Sequence, residues 1–127
     1  MSEKERKAFE ELHKYIEKTY PLVHKHLKKT VLSEYSLLFE WKGSNPNKLP
    51  YFLYAHSDVV PVGDAEEWGI RNSNGDLIEK IGAFSGKIHN GYVWGRGAID
   101  DKQAVISILE AIEDLLAGLY FLLYCVK

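Results

Sequence analysis

An apolar run that ends abruptly on three polar residues constrains this chain more than any other feature. Tyr51-Phe52-Leu53-Tyr54-Ala55 is continuous rather than alternating, and His56-Ser57-Asp58 follows at once. A strand with one wet face alternates polar and apolar residues, so a continuous run suits a strand covered on both faces in a helix-flanked sheet. Open α/β sheets place their sites in the crevice beyond such strand ends, which makes His56 and Asp58 site candidates. In extended backbone positions i and i+2 face the same side, so the imidazole and the carboxylate can cooperate. A metal-bound histidine normally presents its second ring nitrogen to a carboxylate or carbonyl, a role open to Asp58. The plainer reading is a strand-end histidine beside a capping aspartate.

The flanking sequence supplies helices for such a sheet. Ser2 and Glu5 have capping-box spacing, and Phe9, Leu12, Ile16 and Tyr20 recur at three- and four-residue steps, which predicts an amphipathic helix over 3–19. Pro21 suits a first helical position and restarts a short helix through Leu27, with Lys28-Lys29 favourably placed at its C-terminal end. His24 and His26, two apart on a helix, point to different faces and do not share a metal. Thr30 to Trp41 reads as a strand, and Gly43 to Asn47 as a turn before the second strand. Residues 62–91 form a long connection with hairpin signals at Asn74-Gly75 and Asn90-Gly91. Val105, Ile108, Leu109, Ile112, Leu115 and Leu116 give a helical stripe over 102–116, Gly118 is placed as its stop, and Leu119 to Cys125 then reads as a further strand.

A second constellation lies at the start of that last helix. Gly95-Arg96-Gly97-Ala98-Ile99-Asp100-Asp101-Lys102 offers two glycines for close backbone approach and then two adjacent carboxylates. Helix capping and dipole chemistry account for one aspartate. The other needs a cation, either Lys102 or a metal, because packed like charges resist joint ionisation. The glycine spacing fits neither a dinucleotide fingerprint nor a mononucleotide phosphate loop.

Charge and composition narrow the function classes. Sixteen Lys+Arg against eighteen Asp+Glu leave a formal charge of −2, so no basic field is available for nucleic acid. Residues 1–30 carry +3 and the remainder −5, and the acidic remainder is where a cation would fit. The single Cys125 excludes an internal disulfide and a cysteine-rich metal site. No secretory signal is visible after Met1, which makes the cytosol the default expectation. The apolar stretch Leu115 to Val126 is twelve residues long, against the roughly 18–20 of a spanning helix.

Taken in order, Ala55-His56-Ser57-Asp58-Val59-Val60-Pro61, Trp68, Phe84-Ser85-Gly86-Lys87-Ile88 and Gly91 through Lys102 resemble the family-20 zinc metallopeptidases. That family includes carboxypeptidase S, aminoacylase-1, glutamate carboxypeptidase and several deacylases. Tyr20-Pro21-Leu22-Val23-His24 and Glu34-Tyr35-Ser36-Leu37-Leu38 look most like the carboxypeptidase S and N-fatty-acyl-amino-acid hydrolase branch. The likeness covers roughly residues 8–117. It implies an α/β fold: a helix-flanked, mostly parallel sheet forming part of a zinc-peptidase catalytic domain. Its parts would be a helical lead-in (1–29), strands to the His-x-Asp motif (30–61), a long hairpin connection (62–95), and the Asp motif with helix and apolar tail (96–127).

By that resemblance, His56 would ligate one of two zinc ions and Asp100 would bridge both. Asp58 would be the catalytic-site carboxylate that orients His56, Gly95, Arg96 and Gly97 would shape the turn, and Asp101 and Lys102 would support it. The family also implies a cis Asp100–Asp101 bond, a peptide or N-acyl-amino-acid substrate, and homo-oligomers among full-length members.

The family mechanism relies on a water activated by a glutamate general base, with the metals polarising the scissile amide carbonyl. The Glu-Glu pair that carries this base, a further acidic ligand, a distal histidine ligand and a dimerisation domain have no counterpart in the sequence. Glu66-Glu67, before Trp68, does not match the motif. Ile70 to Gly82 reads as an insertion relative to the family, with Ala83 where proline is usual. The sequence therefore suggests a zinc-dependent amide hydrolase represented by a truncated, inactive N-terminal part. The alternatives are a non-catalytic fragment that binds a full-length relative and a small protein attached to membranes by its apolar tail.

Overall fold

A computed structural model describes residues 1–125 and divides the chain into two units, Met1–Phe52 with Ile108–Lys127, and Leu53–Ser107. The architecture is mixed helix and strand, and each of its three sheets is a two-stranded antiparallel hairpin.

In the first unit α1 spans Glu3–Thr19. Ser2 and Glu5 close a reciprocal capping box: the Ser2 hydroxyl accepts from the Glu5 N–H at 3.3 Å, and the Glu5 carboxylate accepts from the Ser2 N–H at 2.6 Å. Helix α2, Pro21–His26, begins one residue after α1 ends. Lys28 and Lys29 do not close this helix as expected, because the backbone turns extended at Leu27 and both lysines open strand β1, Lys28–Leu32.

Strand β2, Ser36–Glu40, pairs with β1 in the register Lys28↔Glu40 to Leu32↔Ser36. The single strand expected over 30–41 is thus two strands folded back on Ser33 and Glu34, both at positive φ. Neither residue belongs to the glycine and asparagine class that signals such a turn, so the pattern conceals it.

Helix α3 spans Gln103–Cys125, with Ile108 onward belonging to the first unit. Gly118 does not stop it and Leu119 to Cys125 is not a strand. Gly118 lacks the positive φ of a helix-ending glycine, and interior glycine costs a helix only about 1 kcal/mol relative to alanine. Val126 and Lys127 lie outside the described residues. Among the described residues, no helix is long and apolar enough to cross a membrane.

The core of this unit follows helical arithmetic. Ile16, Tyr20, Val23 and Leu27 are buried, as are Leu109 and Leu116 of α3, at steps of three, four and seven. One polar contact fixes how α3 meets the other helices. Pro21 has no N–H, and Tyr20 gives α2 no side-chain cap. The Leu22 and Val23 N–H groups donate instead to the two Glu113 oxygens, each at 2.9 Å. The first intrahelical bond, His24 N–H to the Tyr20 carbonyl, follows at 3.3 Å.

The segment at 51–61, which enters the second unit at Leu53, belongs to none of the three sheets, and Tyr51, Phe52, Leu53 and Tyr54 are exposed. The doubly covered strand expected there is not formed: no strand of the described residues pairs with it, and coverage needs neighbours on both sides. Burial alternates from Ala55 to Val60, so His56 and Asp58 share the outer face while Ser57 and Val59 face inward. Strands β3 (Gly69–Arg71) and β4 (Leu77–Lys80) form one hairpin. Its turn is organised by Asn72, whose Oδ1 accepts from the N–H groups of Asn74 and Asp76. Strands β5 (Lys87–His89) and β6 (Tyr92–Trp94) form the other. They join through Asn90-Gly91, both at positive φ, as a tight two-residue hairpin turn requires.

Two measurements test the first unit. Glu113→Ala leaves two helix-start donors without their acceptor, and should lower unfolding free energy in urea by about 1–3 kcal/mol. The Tyr20 hydroxyl is pushed up to about 12 by burial and by its hydrogen bond to Glu110. Because this pKa is raised in the folded state, its stabilising contribution is complete below about pH 10 and is lost as pH rises through 12. Stability should fall across that window in the parent, and the fall should flatten in Tyr20→Phe.

Candidate functional site

The site is assembled within the second unit from two stretches more than forty residues apart. The His56 ring lies between two carboxylates: Nδ1 is 3.2 Å from Asp58 Oδ1, and Nε2 is 3.0 Å from Asp100 Oδ1. The Asp58 backbone carbonyl also lies 3.2 Å from Nδ1. This follows from the alternation at 56–58, which places both side chains on one face. The imidazole and the two carboxylates are solvent-accessible. Partial shielding from water pulls the His56 pKa down, but the Asp58 carbonyl and the Asp100 and Asp58 carboxylates outweigh it, holding the ring above the ordinary histidine value.

Residues 98–102 form an irregular turn before α3, in which Asp100 and Asp101 leave the helical region. The Asp100–Asp101 peptide bond is cis. Asp101 Oδ2 accepts from the His56 N–H at 3.4 Å, and the Lys102 ammonium donates to the Ser57 carbonyl at 2.7 Å. Burial pushes the Lys102 pKa down, against the opposing pull of the Asp58 charge.

Gly97 is buried at φ +83°, where L side chains are strained. A Cβ there would run into Val59 Cγ1 and stand 2.9 Å from Lys102 Nζ. Gly95 is less constrained, its nearest neighbours lying 3.8 Å from an added Cβ. Arg96 stacks over Trp68, its guanidinium carbon 5.4 Å from the ring centroid, while Trp68 Nε1 donates to the Val62 carbonyl at 2.9 Å. The structure therefore brings His56, Asp58, Asp100 and Asp101 together, and Gly95, Arg96 and Gly97 lead into the turn that presents Asp100, with the Gly95 and Gly97 carbonyls accepting from the Ala98 and Lys102 N–H groups. The sequence reading assigned nothing to Ser57, Val59 or the Trp68–Arg96 stack. Ser57 acts through its carbonyl and Val59 through shape, and neither leaves a compositional signal.

Among the described residues, no group of three or more His, Cys, Asp or Glu side chains is placed to hold a metal ion. The His56–Asp100 pair is spaced as a hydrogen bond, and its separation is also close to that of two donors on one zinc ion. Zinc bonds of about 2.0–2.1 Å in tetrahedral geometry separate neighbouring donor atoms by roughly 3.3 Å, and Nε2 and Oδ1 lie 3.0 Å apart.

Comparisons with known proteins converge on one family. Residues 52–120 match the profile of Peptidase family M20/M25/M40. Carboxypeptidase S of Saccharomyces cerevisiae is 44% identical over 114 residues, covering 87% of this chain and 18% of that protein. The N-fatty-acyl-amino acid synthase/hydrolase PM20D1 is 41% identical over 111 residues in Xenopus tropicalis, covering 86% of this chain and 19% of that protein. Its Homo sapiens counterpart is 39% identical over 115 residues, covering 89% and 20%. The chain thus spans about a fifth of the length of these relatives. No solved structure matches it.

A paired substitution tests the turn. Gly97→Ala should destabilise the chain by about 1–3 kcal/mol through strain and overlap, whereas Gly95→Ala should stay within about 0.5 kcal/mol. Equal urea midpoints for the two variants would contradict the close packing of Gly97 on Val59.

Proposed function

The chain belongs to peptidase family M20/M25/M40, a family of hydrolytic enzymes, and from that premise we propose zinc-dependent hydrolysis of peptide or N-acyl-amino-acid amide bonds as its chemistry. The observation that carries this reading is the approach of His56 Nε2 to Asp100 Oδ1 at 3.0 Å across 44 residues of sequence. These are the two side chains that the resemblance makes metal ligands. His56 and Asp100 would hold zinc, and Asp58 would keep Nδ1 engaged so that Nε2 stays available. What bound zinc contributes to amide hydrolysis is Lewis-acid polarisation of the scissile carbonyl.

Within this reading, the 127 residues are the N-terminal part of a catalytic domain built on a helix-flanked, mostly parallel sheet. The lead-in is 1–29, the approach to the His-x-Asp motif 30–61, the hairpin connection 62–95, and the Asp motif with its helix 96–127. The relatives named carboxypeptidase S and N-fatty-acyl-amino acid synthase/hydrolase indicate the substrate class, an amide whose leaving group is an amino acid. With two donors and no glutamate base assigned, the chain alone binds metal weakly and does not turn over.

Cobalt(II) titration monitored by visible absorption, with an assay for amino acid release from an N-acyl substrate, tests this. Weak cobalt uptake should be lost in both His56→Ala and Asp100→Ala, and no amino acid should be released. Zinc-dependent turnover by the isolated chain would overturn the inactive reading. Cobalt uptake that survives both substitutions would overturn the ligand assignment.

A further inference from the structure

We propose that Lys102 is a positioning residue for the candidate metal site, holding the backbone of 56–58 through the Ser57 carbonyl so that His56 meets Asp100. The proposal rests on the reading above that His56 and Asp100 are ligands, and adds a role to a side chain that is itself neither ligand nor base.

Residues 56–59 belong to no sheet, so pleated neighbours do not set the direction of the His56 and Asp58 side chains. Besides the His56–Asp100 side-chain approach itself, three contacts attach them to the turn at 97–102. The His56 N–H donates to Asp101 Oδ2 at 3.4 Å, Val59 packs where a Gly97 side chain would otherwise stand, and Lys102 Nζ donates to the Ser57 carbonyl at 2.7 Å. The first is long for a hydrogen bond. The second is apolar and does not fix rotation of the peptide plane. The third is short, made by a half-buried lysine, and grips the Ser57–Asp58 peptide group.

That peptide plane decides where the two outward side chains point. If it turns about the Ser57 ψ bond, the part of the chain that carries His56 rotates relative to Asp58, and the Nε2 to Oδ1 approach is lost. Lys102 follows the Asp100-Asp101 pair directly in sequence, so one turn presents the Asp100 carboxylate and sets the backbone that carries His56. Gly97 makes this arrangement possible, because a side chain there would occupy the space of the Lys102 ammonium.

Lys102→Met keeps the apolar stem and removes the donor. Lys102→Gln, polar but too short to reach Ser57, is carried in parallel so that a folding defect in one variant does not silence the test. Amide hydrogen exchange of the full chain, read on peptides covering 53–61 and 69–80, reports the hold on the backbone without any metal. Cobalt(II) titration reports its consequence. Both variants should exchange at least fivefold faster over 53–61 with 69–80 unchanged, and should bind cobalt at least tenfold more weakly. Parent-like exchange over 53–61 in the folded variants would overturn the proposal, as would parent-like cobalt affinity. Accelerated exchange in variants of a parent that itself takes up no cobalt would sustain the role of Lys102 in holding 53–61 while refuting the metal-site reading.

Discussion

Gly97 has no side chain, and the second unit is organised around the space this leaves. Val59 Cγ1 and the Lys102 ammonium both pack against that point, drawing the stretch after the apolar run onto the turn before α3. A methyl group there would separate the His-x-Asp stretch from the aspartate pair, and the chemistry read from either stretch depends on their meeting. The interaction is steric exclusion rather than attraction. Its specificity comes from volume, which close-packed interiors resist changing by even one carbon. The exposed carboxylates and imidazole decorate a geometry that the glycine permits.

The first unit depends on a polar counterpart of the same idea. Helix α2 starts on a proline and receives no cap from its own preceding residue. Its two free N–H groups are met by both oxygens of Glu113, about ninety residues away. Burial of Ile16, Val23, Leu109 and Leu116 supplies most of the driving force, about 1.5–3 kcal/mol for each side chain fully covered. Apolar packing tolerates sliding and the carboxylate fork does not, so Glu113 sets the register of α3 against the α1–α2 junction.

Legibility in the sequence tracked how local the determining interaction is. The Ser2–Glu5 box, Pro21 at a helix start and the Asn90-Gly91 turn are each decided by residues within a few positions of one another, and each stands where the pattern places it. The β1–β2 turn escaped because Ser33 and Glu34 adopt positive φ without the residue types that advertise it. The strand expected at 51–55 failed for the opposite reason: composition reports what a segment can join, and joining requires partners. Leu119 to Cys125 continues the helix because apolar residues serve strand and helix alike, and the Gly118 backbone does not take the positive φ that would stop it. The two motifs that meet at His56 and Asp100 stand out in the sequence, but the grip on the Ser57 carbonyl does not, because every residue owns such an acceptor.

The hairpins carry a kinetic consequence. Each of the three sheets closes between neighbouring strands, and hairpins of this kind form in about 1–10 μs. Among the contacts that bridge 44 or more residues are polar ones: Glu113 to Leu22 and Val23, and the bonds of His56 and Ser57 to the turn at 100–102. Loop closure over such separations comes before any reward from the contact. The hairpins thus close over a few residues, whereas the meeting of His56 with Asp100 closes a loop of 44 and carries the larger entropic cost. A spectroscopic probe of hairpin content therefore reports on the local closures and not on whether the imidazole has met its carboxylate.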